Sequence, residues 1–263
     1  MARADHHHNH TGRRGLPLAA GAAGLAALAH YLPAVCVLGQ WSPVPLRALP
    51  GGLCHWRGPA TSDAVAITLD DGPSPATTPR TLDLLDELGL VATFFVIGAL
   101  AEAHPALVAE IRRRGHGIAS HGHRHEHHLL RGPGWIRRDT AAAASTLQGL
   151  GARPRWYRPP YGQLTARTLV EARRHDMEVV LWSVWGKEWA EPSAEAVMDR
   201  LAGGLEPGAI LLLHDSDEVP PPGKAERTWG ALELLAPELD HRGLRSVDLD
   251  TLLGDGTTLR PVS

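Results

Sequence analysis

An apolar, β-branched run, Val65-Ala66-Ile67-Thr68-Leu69, ends abruptly in Asp70-Asp71, and the turn signal Gly72-Pro73 follows. A buried strand of this kind delivers carboxylates to a loop at its C-terminal edge. Neighbouring residues on a regular strand point to opposite faces. Both acids can therefore enter one site only where the strand has given way to a turn. Taken alone, the stretch also fits an ordinary strand closed by an Asp-Gly turn. Three later stretches argue for more: the pair His121 and His125, the turn Arg158-Pro159-Pro160-Tyr161-Gly162, and the apolar run that ends in His214-Asp215.

The rest of the body repeats one theme. Helices are expected over roughly 80–88, 105–114, 134–149, 165–175, 193–202 and 227–240, the first stopped by Gly89. Between them lie short apolar strands at Val91–Ile97, Gly117–Ala119, the residues before Arg158, Val179–Trp182, Ala209–Leu213 and Ser246–Leu249. Alternating strands and helices of this length imply βα units around a parallel sheet or barrel. In such folds the chemistry gathers at strand C-termini, where every polar group named above stands.

Residues 1–14, with His6, His7, His8 and His10, read as a disordered tail and are left out of the fold. The span from Gly15 to Leu46 holds no Asp, Glu, Lys or Arg and is long enough for a membrane helix, although it is Ala/Gly-heavy and interrupted by Pro33. With Arg13 and Arg14 before it and Trp41 near its far end, residues 15–46 read as an uncleaved anchor with the body outside the membrane. The competing readings are an apolar helix docked on the body and a secreted or periplasmic protein. Residues 47–59 form a linker, 60–253 the body and 254–263 a tail. A formal charge of -3 with no Lys/Arg field gives no reason to expect nucleic acid. Cys36 and Cys54 are too few for a disulfide framework. Nothing in the sequence indicates an oligomer.

His121-Gly122-His123-Arg124-His125-Glu126-His127-His128 packs five histidines into eight residues. In a helix, residues four apart share a face, so His121 would pair with His125 and His123 with His127. Either pair, with a carboxylate from the Asp70-Asp71 strand end, makes a set of two imidazoles and one carboxylate. That set suits Zn2+ or another first-row divalent ion. A solvated polar loop is the alternative. Neither CxxC nor HExxH occurs, which removes thiolate and zincin-type sites.

Taken together, the motifs closely resemble the polysaccharide deacetylase family, also known as the NodB-homology or carbohydrate esterase 4 family, over roughly residues 60–252. Thr68-Leu69-Asp70-Asp71-Gly72-Pro73 is similar to its first motif, with Leu69 where Phe is commoner. The resemblance implies that Asp70 is the catalytic base and Asp71 a metal ligand. It also selects His121 and His125 over His123 and His127 as the other ligands. Arg158-Pro159-Pro160-Tyr161-Gly162 resembles the third motif, in which Arg158 would orient the base and the Tyr161 backbone N–H would serve the oxyanion. Leu211-Leu212-Leu213-His214-Asp215 resembles the last, which makes His214 the general acid, with Asp215 left as structural. The implied fold is α/β, a distorted (β/α)7 barrel of the NodB-homology type, holding one divalent ion, Zn2+ by preference.

One motif departs from the family. Where Trp-Asp-x-Asp-x-x-Asp-Trp is usual, this chain has Trp182-Ser183-Val184-Trp185-Gly186-Lys187-Glu188-Trp189. Glu188 replaces the acid that supports the protonated His and is one methylene longer. Trp185 is free to line a sugar subsite, whereas packing is the expected role of Trp182 and Trp156. The implied substrate is an N-acetylated polysaccharide or oligosaccharide: peptidoglycan for an anchored enzyme, chitin oligomers equally for a free exported one, and acetylated xylan behind them. The alternatives are a non-catalytic carbohydrate-binding protein of the same fold, or a deacetylase or deformylase of a lipid-linked sugar.

Overall fold

The computed structural model describes residues 54–254. The proposed anchor at 15–46, the tail before it, Cys36 and almost all of the C-terminal tail lie outside the described residues. No helix among the described residues is long and apolar enough to cross a membrane.

The central strand, β1 (Ala64–Asp70), is buried along its whole length. Such a strand needs partners on both edges and cover on both faces, which explains its near-continuous apolar sequence. Beside it run β2 (Ala92–Val96) and β7 (Ile210–His214), both parallel to it. Outward from β2 come β3 (Gly117–Ser120), β4 (Trp156–Tyr157) and β5 (Glu178–Val179), and outward from β7 comes β6 (Val184–Trp185). The order is therefore β5-β4-β3-β2-β1-β7-β6, with a short β8 (Arg245–Ser246) beside the start of β1. Every pairing is parallel, and β5 and β6 end the row without pairing to each other. The result is a curled sheet of seven principal strands flanked by helices, an open version of the expected distorted barrel.

Register places the polar strand ends at one level. Asp70 is paired with His214 across β1 and β7, and with Phe95 across β1 and β2. Ser120, the residue before His121, is paired with Tyr157, the residue before Arg158. Four strand ends thus meet at the same rim.

Helices cover the sheet largely where expected. Helix α1 (Thr78–Leu88) buries Leu82 and Leu85 and stops at Gly89, whose φ of 64° is left-handed. Next come α2 (Gly98–Ala103), α3 (Pro105–Arg113) and α4 (Pro133–Gly149). The chain continues with α5 (Ala166–Arg174), α6 (Ala194–Ala202), α7 (Lys224–Arg242) and α8 (Leu249–Leu253).

Several expectations are corrected. Helix α2 was not anticipated, because its six residues are too few for a readable period. The expected strand at Ser246–Leu249 keeps only Ser246; the Asp248 carboxylate accepts the Thr251 N–H and starts α8 instead. Helix α7 begins at Lys224 rather than 227, because the Asp217 side chain accepts the N–H groups of Gly223 and Lys224. The run from His121 to His127 is not helical. Within the segment read as a linker, His55 bridges to Val180 and its N–H donates to Val179 at 2.8 Å.

Candidate active site and metal centre

The break after β1 takes the form the two acids require. Asp70 is the last strand residue, and Asp71 follows at φ 76°, in the left-handed region. A non-glycine residue held there costs about 1–3 kcal/mol and persists only where its surroundings insist on it. This turn brings both carboxylates to one cavity of about 340 Å³, lined also by His121, His125 and His214.

His121 continues from β3, and His125 comes back to it through an irregular loop rather than a helical turn. Gly122, at φ 77°, makes the first bend. Asp139 on α4 fixes the loop, its two oxygens accepting the N–H groups of His123 and Arg124 at 3.0 Å each. The imidazole centroids of His121 and His125 end 5.1 Å apart. His127 stacks on the Tyr161 ring at 3.6 Å instead of facing the cavity acids.

The donor set suits a divalent ion. The ligand atoms of Asp71, His121 and His125 lie within 4.8 Å of one another, a grouping not repeated among the described residues. Asp71 Oδ1 is 3.6 Å from His121 Nε2 and 3.2 Å from His125 Nε2. This oxygen is buried and has no hydrogen-bond partner, a costly state that a cation would relieve. The His121 Nδ1–H donates to the Arg158 carbonyl at 2.8 Å, which leaves the Nε2 lone pair facing the acids. Burial lowers the pKa of His121 and takes that of His125 down to about 3, against the pull of Asp71, so both rings are neutral. Burial works against ionising Asp71, but the charges of His214 and Lys224 outweigh it and hold the group at about 2.

Arg158, fully buried, anchors Asp70. Its Nη1 donates to Asp70 Oδ1 at 2.7 Å and to Thr68 Oγ1 at 2.9 Å. Its other donors reach the carbonyls of Val180 and Leu181, and its guanidinium lies 3.9 Å over the Phe95 ring. Tyr161 follows at φ 59°, half-exposed at the rim of the cavity.

Opposite this group, His214 at the end of β7 donates from Nδ1 to Glu188 Oε1 at 2.5 Å. Burial disfavours the imidazolium, yet Glu188, Asp71 and Asp70 overcome it and lift the pKa to about 9. Arg227 on α7 donates to the Glu188 backbone carbonyl and steadies that loop. Trp182, Trp185 and Trp189 form a run of tilted contacts at 5.2 and 5.0 Å, which ends edge-on against His214 at 5.3 Å. Trp182 both packs on the core and lines the cavity, so the packing role expected for it is incomplete; Trp156 is buried with its indole N–H on Asp250. Asp215 turns away from the acids to accept the Thr78 hydroxyl at 2.5 Å, and burial raises its pKa to about 7.

Two residues of this neighbourhood escaped the sequence reading. Asp139 carries no local signal, because its partners are backbone groups. Lys224 carries a faint one: it is one of only two lysines in a chain whose other strong bases are all Arg.

A family model described as polysaccharide deacetylase matches residues 57–180. Over 207 residues the chain is 31% identical to a peptidoglycan-N-acetylglucosamine deacetylase of Bacillus cereus, covering 78% of this chain and 94% of that one. It is 34% identical over 207 residues to a chitooligosaccharide deacetylase of Sinorhizobium fredii, covering 75% and 93%. The crystal structure of a peptidoglycan N-acetylglucosamine deacetylase in complex with a naphthalenyl N-oxidanyl-benzamide matches with a TM-score of 0.71 at 31% identity, over 76% of this chain and 92% of that one. By sequence and by fold, this chain belongs to the polysaccharide deacetylase family.

Proposed function

We propose that the protein is a metal-dependent hydrolase that removes N-acetyl groups from a glycan containing N-acetylglucosamine, with residues 60–253 as its catalytic domain. The observation that carries this reading is the buried, unpartnered Asp71 Oδ1 facing two neutral imidazole nitrogens. Asp71, His121 and His125 would hold a divalent ion, Zn2+ in this reading, which when bound would acidify a water and polarise the acyl carbonyl.

The remaining steps belong to residues of this chain. Asp70, kept anionic and oriented by Arg158, accepts the proton of the attacking water. The Tyr161 backbone N–H donates to the oxygen on which negative charge develops. His214 uses Nδ1 to bind Glu188, so its Nε2 carries the proton that passes to the leaving sugar nitrogen as the C–N bond breaks. Acetate and a free amine result. Trp185 and Trp189, on the wall of the cavity, offer faces for pyranose rings.

Peptidoglycan and chitin-like oligomers are the substrates that the names of the relatives suggest. Peptidoglycan is favoured if Gly15–Leu46 anchors the body on the outer side of a membrane. Acetate release from peptidoglycan, chitin oligomers and acetylated xylan, measured side by side with metal-loaded protein, tests the reading. Release from either N-acetylated glycan is expected. Release from xylan alone would replace the substrate class, and none from any of the three would overturn the activity.

A further inference from the structure

Lys224 is buried, and its Nζ lies 2.6 Å from Asp71 Oδ2. The two oxygens of Asp71 are thereby divided. Oδ2 is taken by the ammonium and stands 3.8 Å from His214 Nε2, whereas Oδ1 faces His121 and His125 with no hydrogen-bond partner. The lysine is set firmly: it is the first residue of α7, and Asp217 holds its N–H and that of Gly223. The Val219-Pro220-Pro221 segment lines the same cavity beside it.

We propose that Lys224 is a positioning residue for the metal centre: by engaging Oδ2 it reserves Oδ1 as the only carboxylate donor and keeps Asp71 from chelating an ion through both oxygens. This rests on the metal reading given above. The residue type fits the task. An ammonium is a point charge that can satisfy one oxygen, whereas a guanidinium fork matches both oxygens of a carboxylate at once. In a chain that otherwise uses Arg almost throughout, an Arg at 224 would compete for the very atom the ion needs. The ammonium also opposes the ion electrostatically, so it holds the site at lower affinity than the three ligands alone would reach.

The test uses the full chain with His6, His7, His8 and His10 replaced by Asn, so that the tail takes up no metal. Zn2+ affinity is measured by competition with a chromophoric chelator, and the Co2+-loaded protein is read by visible absorption. K224M should bind Zn2+ at least tenfold more tightly, and its Co2+ bands should weaken as Asp71 becomes bidentate and the coordination number rises. K224R should bind Zn2+ at least tenfold more weakly. H125A is the reference. If it binds metal as the parent does, the metal reading falls and this assignment with it. If H125A loses the ion while K224M matches the parent in both measurements or binds more weakly, the role of the lysine alone falls. Should K224M fail to fold, an unchanged or tighter Zn2+ affinity in K224R overturns the proposal by itself.

Discussion

Glu188 Oε1 sits 2.5 Å from His214 Nδ1, so an acid one methylene longer than the family's usual aspartate still reaches its imidazole. The Glu188 loop is held from behind by Arg227, and the lack of a side chain at Gly186 leaves room for the second carboxylate oxygen, which is buried without a hydrogen-bond partner. The pairing favours the charged ring, and with it a proton ready for delivery.

Replacing Glu188 with Gln removes that charge while keeping the size. The raised pKa of His214, about 9, should then fall, because burial acts unopposed by its nearest anion. A general acid works in its protonated form, so the alkaline limb of kcat/KM should move to lower pH. If the pKa returns only to the ordinary histidine value, the rate at pH 8 drops roughly thirtyfold. E188D should keep the limb in place. An alkaline limb unmoved in E188Q would show that another group governs His214.

Replacing Asp70 with Asn should lower kcat by about 10²–10⁴ at every pH, since no second base stands in that position. The change also leaves the buried Arg158 guanidinium without its carboxylate. Removing one partner of such a pair costs about 3–5 kcal/mol. Thermal unfolding should therefore shift downward together with activity, while Zn2+ stoichiometry stays at one per chain. Loss of the ion in D70N would instead make Asp70 a ligand.

Asp139 holds the backbone between His121 and His125, accepting the N–H groups of His123 and Arg124. In D139N one of the two N–H groups must face an amide NH2 and loses its acceptor. Metal affinity should weaken by about 10- to 100-fold, as is usual when the support of a ligand is removed. D139E should recover part of it. Chelator competition on D139N, with unfolding monitored in parallel, separates loop loosening from general instability.

Asp70-Asp71, His121 and His214 were legible because each follows an apolar run whose end is visible in the sequence, whereas His125 was read from its spacing to His121 and Arg158 from the Pro-Pro-Tyr-Gly turn after it. Parallel register then does what sequence cannot express, setting Asp70 level with His214 although the two lie far apart along the chain. The four-residue spacing of His121 and His125 suggested a helix, but Gly122 and the Asp139 cap bring the rings together along an irregular path. Helix spacing had left His123 and His127 as an equal pair, and only the family resemblance chose between the two pairs. Lys224 and Asp139 were hard to read for a common cause: their partners lie elsewhere in the chain, and neither residue closes an apolar run. Strand β6 was missed because two residues carry no period, and its pairing to β7 defines it.

Arg158 has a consequence for how such an enzyme can change. From the end of β4 it grips Thr68 and Asp70 on the central strand and, at the same time, the carbonyls just beyond β5, at the far margin of the row. It works as a tie-rod across the hollow of the sheet, and Asp70 hangs from the same rod. Curvature and the aim of the Asp70 carboxylate are thus a single mechanical variable. Substitutions that flatten or tighten the sheet will re-aim Asp70, and those that retune Asp70 will load the sheet. Adaptation to a new glycan is left to parts the rod does not touch, such as the tryptophan loop after β6 and the proline segment ahead of α7.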